Sequence, residues 1–234
     1  MLVKFERKPN VSQTIYDIGK FKVWEVLLSN GVLKLANNSF EKAVAVLDGE
    51  IELKVENSKY VLTDRSLAYV PVNTEAEVSA EKAVVVVAEA KAVNKHRFYF
   101  KHISSMERKL VGEKGYLRYV YTAVSPEDPS DHFLAGFTEG YPGNWTSFPP
   151  HKHDEKPEVY VYYGIGKYYG VQFIEENGVF KAFKVEDYDA VVIEKGYHPN
   201  VALPFTGINY FWIIYVPEGV PRELKVKVHP LFER

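Results

Sequence analysis

The segment PPHKHDEKPEVYVYY sets His151 and His153 two residues apart, with Glu158 five residues beyond the second of them. On an extended strand alternate residues project from one face, so the two imidazoles form a chelating pair. Asp154, Glu155, Lys156 and Pro157 are turn formers that reverse the chain. Glu158 then opens the next strand beside the pair and shares a face with Tyr160 and Tyr162. His198 lies forty residues past Glu158, after the apolar run AVVI and the turn EKGYHP, from which it reaches the same interior on a neighbouring hairpin. Three imidazoles and a carboxylate make a mixed nitrogen and oxygen set suited to zinc, manganese, iron, nickel or cobalt. The chain has no cysteine, so thiolate sites, disulfides and cysteine nucleophiles are excluded. The expected cofactor is one divalent metal ion, zinc in first place with manganese, iron or nickel as alternatives, on His151, His153, Glu158 and His198. His96, His102, His132 and His229 have no such partners and read as structural or exposed.

Elements able to position this set are strands. Before residue 91 the runs FKVWEVLL, KAVAVLDG, EIELKVEN, KYVLT, SLAYVPV, AEVSA and AVVVVAEA are separated by Gly, Asn, Asp and Pro signals. The second half repeats the plan with LRYVYTAV, HFLAGFTEG, EVYVYYGI, YYGVQFIEENG, VFKAFKV, DAVVIEKG and INYFWIIYV. Helical periodicity is hard to find, and short strands with frequent turns predict an all-β sandwich or barrel. Two similar β units are expected, residues 1–92 and 93–234, joined by the polar, basic stretch KAVNKHRFYFKHISSMERK. SLAYVPVNTEAEV in the first unit parallels DAVVIEKGYHPNV in the second, but Asn73 or Thr74 stands where the second has His198. The first unit is therefore expected to be a copy without metal ligands, used for scaffolding or assembly.

Bulk properties bound the partners. A chain of 234 residues that is 46% hydrophobic and 15% aromatic can fill real cores. Its 29 Lys and Arg against 31 Asp and Glu leave a formal net charge of -2, with no electrostatic footprint for nucleic acid or acidic lipid. No apolar run approaches the roughly 18 residues that span a bilayer, and the N-terminal stretch has no signal-like hydrophobic region. A soluble, cytoplasmic protein with a small-molecule partner is expected, without nucleic acid or membrane.

GNWTSFPPHKHD (Gly143 to Asp154), EKGYHP (Glu194 to Pro199) and DRSLAYVPVNTEAEVSA together resemble the uronate isomerase superfamily. That superfamily holds the 5-deoxy-glucuronate isomerases of inositol breakdown and the 5-keto-4-deoxyuronate isomerases of pectin breakdown. The resemblance is strong from about 141 to 199, weaker elsewhere, and closer to the first group. Glu194 replaces that group's first Pro, and the chain is somewhat short for it. The spacing from HKHD to the glutamate is nearer the second group.

The resemblance implies two tandem cupin barrels of the double-stranded β-helix, jelly-roll type, with the metal in the second. It also implies aldose-ketose isomerisation of a deoxy-uronate, first of all 5-deoxy-glucuronate to 5-dehydro-2-deoxy-gluconate. In such a reaction a divalent metal acts as a Lewis acid on adjacent substrate oxygens and stabilises the developing enediolate. Glu158, Tyr160 and Tyr162 are then candidate catalytic groups, with Asp154 and Glu155 as other candidate bases. A substrate carboxylate calls for Arg118 first and Lys195 second. Rival readings are a cupin iron dioxygenase, a sugar-sensing module and a purely structural metal site. A homo-oligomer is expected by analogy.

Overall fold

The computed structural model describes residues 1–233 of the chain. Apart from two single-turn 3-10 helices, Ile103–Ser105 and Pro230–Phe232, its regular elements are all strands. In chain order they are β1 (Leu2–Val3), β2 (Gln13–Asp17), β3 (Phe21–Leu35), β4 (Phe40–Val55), β5 (Ser58–Thr63), β6 (Ser66–Val70), β7 (Ala76–Lys91) and β8 (Tyr99–His102). They continue with β9 (Glu107–Val111), β10 (Arg118–Val124), β11 (Phe133–Gly140), β12 (Trp145–Thr146), β13 (His151–Lys152) and β14 (Glu158–Tyr163). The last are β15 (Gly170–Glu176), β16 (Val179–Val185), β17 (Ala190–Ile193), β18 (Asn200–Ala202), β19 (Asn209–Tyr215) and β20 (Lys227–Val228).

The chain divides into two compact units. One comprises Phe5–Met106 and Glu127–Phe133; the other comprises Met1–Lys4, Glu107–Pro126 and the described residues from Leu134 onward. The first unit is a sheet in the order β2-β3-β7-β4-β6-β8, with β5 paired to β4. The second has a seven-stranded sheet, β1-β17-β14-β19-β11-β10-β9, a four-stranded sheet, β12-β18-β15-β16, and the pair β13-β20. The expected all-β class is observed. Closed barrels are not: among the described residues each hydrogen-bonded ladder stops at edge strands.

Several runs that read as separate strands are continuous. KAVAVLDG and EIELKVEN form one strand, β4, and AEVSA and AVVVVAEA form another, β7. Asp48 and Gly49 read as a turn but instead make a bulge, where the β4–β7 register shifts between Val46 and Asp48 and again between Gly49 and Glu52. Gly49 has φ +84°, and a Cβ there would stand 2.3 Å from the Lys82 carbonyl oxygen, so this crossing needs glycine. Above the bulge, Val44, Val46, Val85 and Val87 pack with Val26, Leu28, Ala68 and Val70 in the first unit's core. Each such buried aliphatic side chain contributes roughly 1.5–3 kcal/mol.

A buried carboxylate closes this unit. Glu41, fully buried on β4, accepts from the Tyr69 hydroxyl at 2.7 Å and from the backbone N–H groups of His132 at 2.7 Å and Asp131 at 3.0 Å. The Ser130 hydroxyl lies 3.2 Å from both of its oxygens. Asp131 in turn accepts from the backbone N–H groups of Val93 and Asn94 and the Asn94 amide, and pairs with His96 Nε2 at 2.8 Å. Residues late in the chain thereby complete the earlier unit. Burial alone raises the Asp131 carboxyl, but the Asn94 hydrogen bonds, with those of His96 and Val93, reverse this and hold it down at about 2.

Two outcomes follow. Glu41→Ala strands several buried donors and should lower unfolding free energy by about 3 kcal/mol in urea titrations, with Glu41→Gln recovering part of the loss. Asp131 has a depressed folded-state pKa, so its stabilisation is fully present above the unfolded carboxyl value of about 4 and disappears as pH falls towards 2. The melting temperature of the wild type should exceed that of Asp131→Asn at pH 6, and the gap should close between pH 4 and about 2.

Candidate metal centre

The central strand β14 starts at Glu158, between β17 and β19, with Ile193 and Ile214 as its register partners. Upstream, the chain reverses in a turn in which the Lys156 N–H donates to the His153 carbonyl at 2.9 Å, and this returns β13 alongside Glu158. On the other flank β17 ends at Ile193, so the turn after it passes the same edge and delivers His198 there. The two turns are tied together by the Gly196 N–H, which donates to Asp154 Oδ1 at 3.1 Å. Gly196 has φ +94° and a Cβ on it would meet the Glu175 carbonyl oxygen at 2.6 Å, so glycine is required at this bend.

His153, Glu158 and His198 converge, with one ligand atom from each lying within 4.8 Å of the others. Among the described residues this is the one group of three or more histidine, cysteine or acidic side chains so arranged. Glu158 Oε2 is 3.0 Å from His153 Nε2 and 3.3 Å from His198 Nε2. His151 stands beside this trio, its ring 4.8 Å from that of His198 and 6.5 Å from that of His153, but its nitrogens fall outside the group.

Tautomers are fixed by the backbone. His151 Nδ1 lies 3.0 Å from the Pro149 carbonyl, His153 Nδ1 2.8 Å from that of Lys156, and His198 Nδ1 2.9 Å from that of Gly196. A carbonyl oxygen only accepts, so each Nδ1 carries a proton and, in the neutral ring, each Nε2 presents its lone pair. His198 is fully buried, and its Nε2, despite its nearness to Glu158, has no hydrogen bond of acceptable geometry. Such an orphaned buried nitrogen, aimed with a second lone pair at a buried carboxylate, fits a divalent cation. Titration reflects the same crowding of the carboxylate and the imidazoles. Burial raises the Glu158 carboxyl, but His153 and then His198 overcome it and hold it at about 2. Burial lowers His153, yet Glu158 raises it above its ordinary value. His151, set back from the carboxylate, is pushed down to about 3 by burial and then by His198.

The group opens on a cavity of about 170 Å³. A single water needs roughly 10–15 Å³ of such space, so a small molecule fits. Arg118, Thr138, Ser147, His151, Tyr160 and Tyr210 line it together with the apolar Val120, Trp212 and Ile214. Tyr160 stacks on Tyr210 with ring centres 4.2 Å apart, and its hydroxyl is 3.3 Å from Ser147 Oγ. Burial, reinforced by the charge of Glu158, raises the Tyr160 phenol well above its ordinary value.

Other residues singled out from the sequence lie elsewhere. Tyr162 does not line the cavity, because two residues further along β14 its hydroxyl is committed to Gln172 Oε1 at 2.6 Å. Lys195 is exposed on its turn, outside the cavity lining. Asp154 pairs with Lys152 and accepts from Gly196, and Glu155 is exposed, so neither reaches the cavity.

Sequence reading passed over the C-terminal tail. Arg222 fastens it by donating to the carbonyls of Ser125 at 2.8 Å and Pro126 at 2.6 Å. Residues Glu223 to Val226 then form one wall of the cavity, and β20 pairs with β13, setting Val228 opposite His151. Alternation of Leu224, Val226 and Val228 is the signal that would have marked this strand. Lys156, read only as a turn former, also lines the cavity.

A family model described as the KduI/IolB family matches residues 9–234. A protein of Geobacillus kaustophilus named 5-deoxy-glucuronate isomerase is 30% identical over 149 residues, 58% of this chain and 54% of that protein. One of the same name from Bacillus velezensis is 27% identical over 213 residues, 84% of this chain and 73% of that one. The chain thus spans about half the length of the first curated relative and rather more of the second. Among solved structures, an IolB-like protein from Salmonella typhimurium superposes with a TM-score of 0.85 at 18% identity, over 97% of this chain and 96% of that one. A cupin 2 conserved barrel domain protein from Leptotrichia buccalis superposes with a TM-score of 0.61 at 14% identity, over 92% and 96%. At these identities the structural likeness concerns a cupin-like fold alone.

Because β20 is the tail's pairing partner for β13, a chain ending at Pro221 should hold His151 and His153 less firmly. Its affinity for cobalt(II), followed by absorption titration, should fall at least about tenfold, in line with losses seen when groups that orient ligands are removed. Far-UV circular dichroism should change little.

Proposed function

The chain belongs to the KduI/IolB family, and from that premise we propose that it is a metal-dependent isomerase of a deoxy-uronate sugar. The preferred reaction is 5-deoxy-glucuronate to 5-dehydro-2-deoxy-gluconate, an aldose-ketose interconversion within inositol catabolism in the cytoplasm. The observation that carries this reading is the trio His153, Glu158 and His198, its two imidazoles locked by backbone carbonyls so that Nε2 faces the Glu158 carboxylate. In this reading His151 joins them as a fourth ligand, zinc is the first choice of ion, and the two units are a pair of cupin domains of which the first carries no metal. The relatives named 5-deoxy-glucuronate isomerase support the choice of substrate.

The bound ion would supply Lewis acidity to a substrate carbonyl. The protein does the rest. Val120, Trp212 and Ile214 keep the reacting end dry, which strengthens each polar contact within. Tyr160 keeps its proton at neutral pH because burial and Glu158 oppose the phenolate, so its hydroxyl donates to a developing oxyanion and does not act as a base. Ser147, 3.3 Å away, orients that hydroxyl. Arg118 lines the cavity from β10, its guanidinium donating to the Tyr116 carbonyl at 3.2 Å.

Metal analysis of the purified protein, followed by isomerisation assays on 5-deoxy-glucuronate and on 5-keto-4-deoxyuronate, tests the reading. One divalent ion per chain and turnover of the first sugar are expected, with His198→Ala losing both. Removal of the donor hydroxyl in Tyr160→Phe should lower kcat about 100-fold, within the range for a single transition-state hydrogen-bond donor, while metal content stays intact. Full metal occupancy with neither sugar converted would sink the assignment, and oxygen uptake in its place would mark an oxygenase.

A further inference from the structure

Lys156 is a residue that the reading above leaves without a role. It sits in the turn between β13 and β14, two residues before Glu158, and is 7% exposed. Its main chain serves the metal centre, the carbonyl holding His153 Nδ1 at 2.8 Å. Its side chain does something else. The ammonium donates one hydrogen bond, at 2.8 Å, to the backbone carbonyl of Glu223 on the C-terminal tail. Among the described residues no carboxylate comes within 4.0 Å of it, although an ammonium carries three N–H donors.

A buried cation with one neutral partner is under-satisfied, and the cost of such burial is met only when an anion supplies the missing charge and acceptors. Its nearest acidic neighbours, Glu223 and Glu155, favour its charge from a distance but give it no carboxylate contact. Glu223 is exposed and meets the lysine through its main chain, Glu155 is exposed, and Glu158 is engaged by His153 and His198. Lys156 lines the cavity shared with the metal group and also a second pocket lined by Asp154, Glu155 and the tail residues Glu223 and Lys227, so its charge borders both. A carboxylate is a stronger acceptor for an ammonium than a peptide carbonyl, by roughly a factor of two in hydrogen-bond strength.

We propose that Lys156 is the residue that selects for an anion at this cavity. Its ammonium binds the carboxylate of a small sugar acid, with the Glu223 carbonyl as the partner that this carboxylate joins or replaces. The proposal rests on the isomerase reading for which end of the sugar reacts, but its test does not depend on turnover.

Gluconate and glucitol make the test. They share a six-carbon polyol chain, differ in the carboxylate, and have no carbonyl to isomerise. Calorimetric binding of each is measured on the protein as purified and again after chelator treatment, so that attraction of the carboxylate to a metal is separated from attraction to the lysine. Wild type should prefer gluconate at least tenfold in both states. Lys156→Met should lose that preference, with glucitol binding and metal content unchanged. Lys156→Gln removes the charge while keeping a donor for the Glu223 carbonyl, and should behave alike even if the methionine variant folds poorly; Lys156→Arg should restore the preference.

A wild type that binds gluconate no better than glucitol overturns the proposal. So does a preference that survives in Lys156→Gln, or one that is lost in Arg118→Gln while Lys156→Gln retains it. Intact anion preference without turnover would sink the isomerase reading alone, and turnover without anion preference would sink the lysine assignment alone.

Discussion

Where the protons sit on three imidazoles is the constraint from which the site follows. Each ring gives its Nδ1 proton to a carbonyl of its own turn: Pro149 two residues before His151, Lys156 three after His153, Gly196 two before His198. Local turn geometry therefore decides which lone pairs point inward, and the inward Nε2 atoms of His153 and His198 meet a buried carboxylate that shifts in the direction favouring positive charge between them. Neither the turns nor the carboxylate would suffice alone. A glutamate at the start of a central strand is costly to bury without cations around it, and histidines without fixed tautomers are poor ligands.

The sheet supplies the precision. β14 is flanked on both sides, by β17 and β19, so Glu158 and Tyr160 are held by two ladders and by aromatic packing against Tyr210. By contrast β13 is two residues long and is paired with β20 alone. Half of the candidate ligand set thus stands on a well-braced strand and its neighbouring turn, and half on a short strand secured by the tail and the turn that follows it. Sites built on rigid elements hold their geometry more closely than those on loops, so the tail is part of the site's architecture.

Much of this was legible in the residues. Two-residue spacing put both histidines on one side, the turn formers returned the chain to Glu158, and the parity of β14 put Tyr160 at the cavity. Parity could not tell depth: Tyr162 shares the face but finds Gln172 within the core. Nor could charge alone tell which cations face inward, since Lys195 and Lys156 both lie in turns beside ligand residues and only the second is folded under the tail. Asp48–Gly49 has the composition of a turn, and only the β4–β7 ladder continuing on both sides makes it a bulge. Those failures share a cause, that the deciding contacts come from residues distant in the chain.

The two units also trade pieces. Residues 127–133, made well after β8, belong to the earlier unit and carry the donors that satisfy Glu41, while β1, made first, pairs with β17 in the later one. During synthesis the buried carboxylate of the leading unit therefore has Tyr69 as a donor but lacks those of residues 130–132 until the ribosome has released a stretch that begins twenty-five residues beyond the unit's last strand. The very first strand waits longer still, for a partner not yet translated. The order in which the polypeptide emerges is in this way not the order in which its parts can settle.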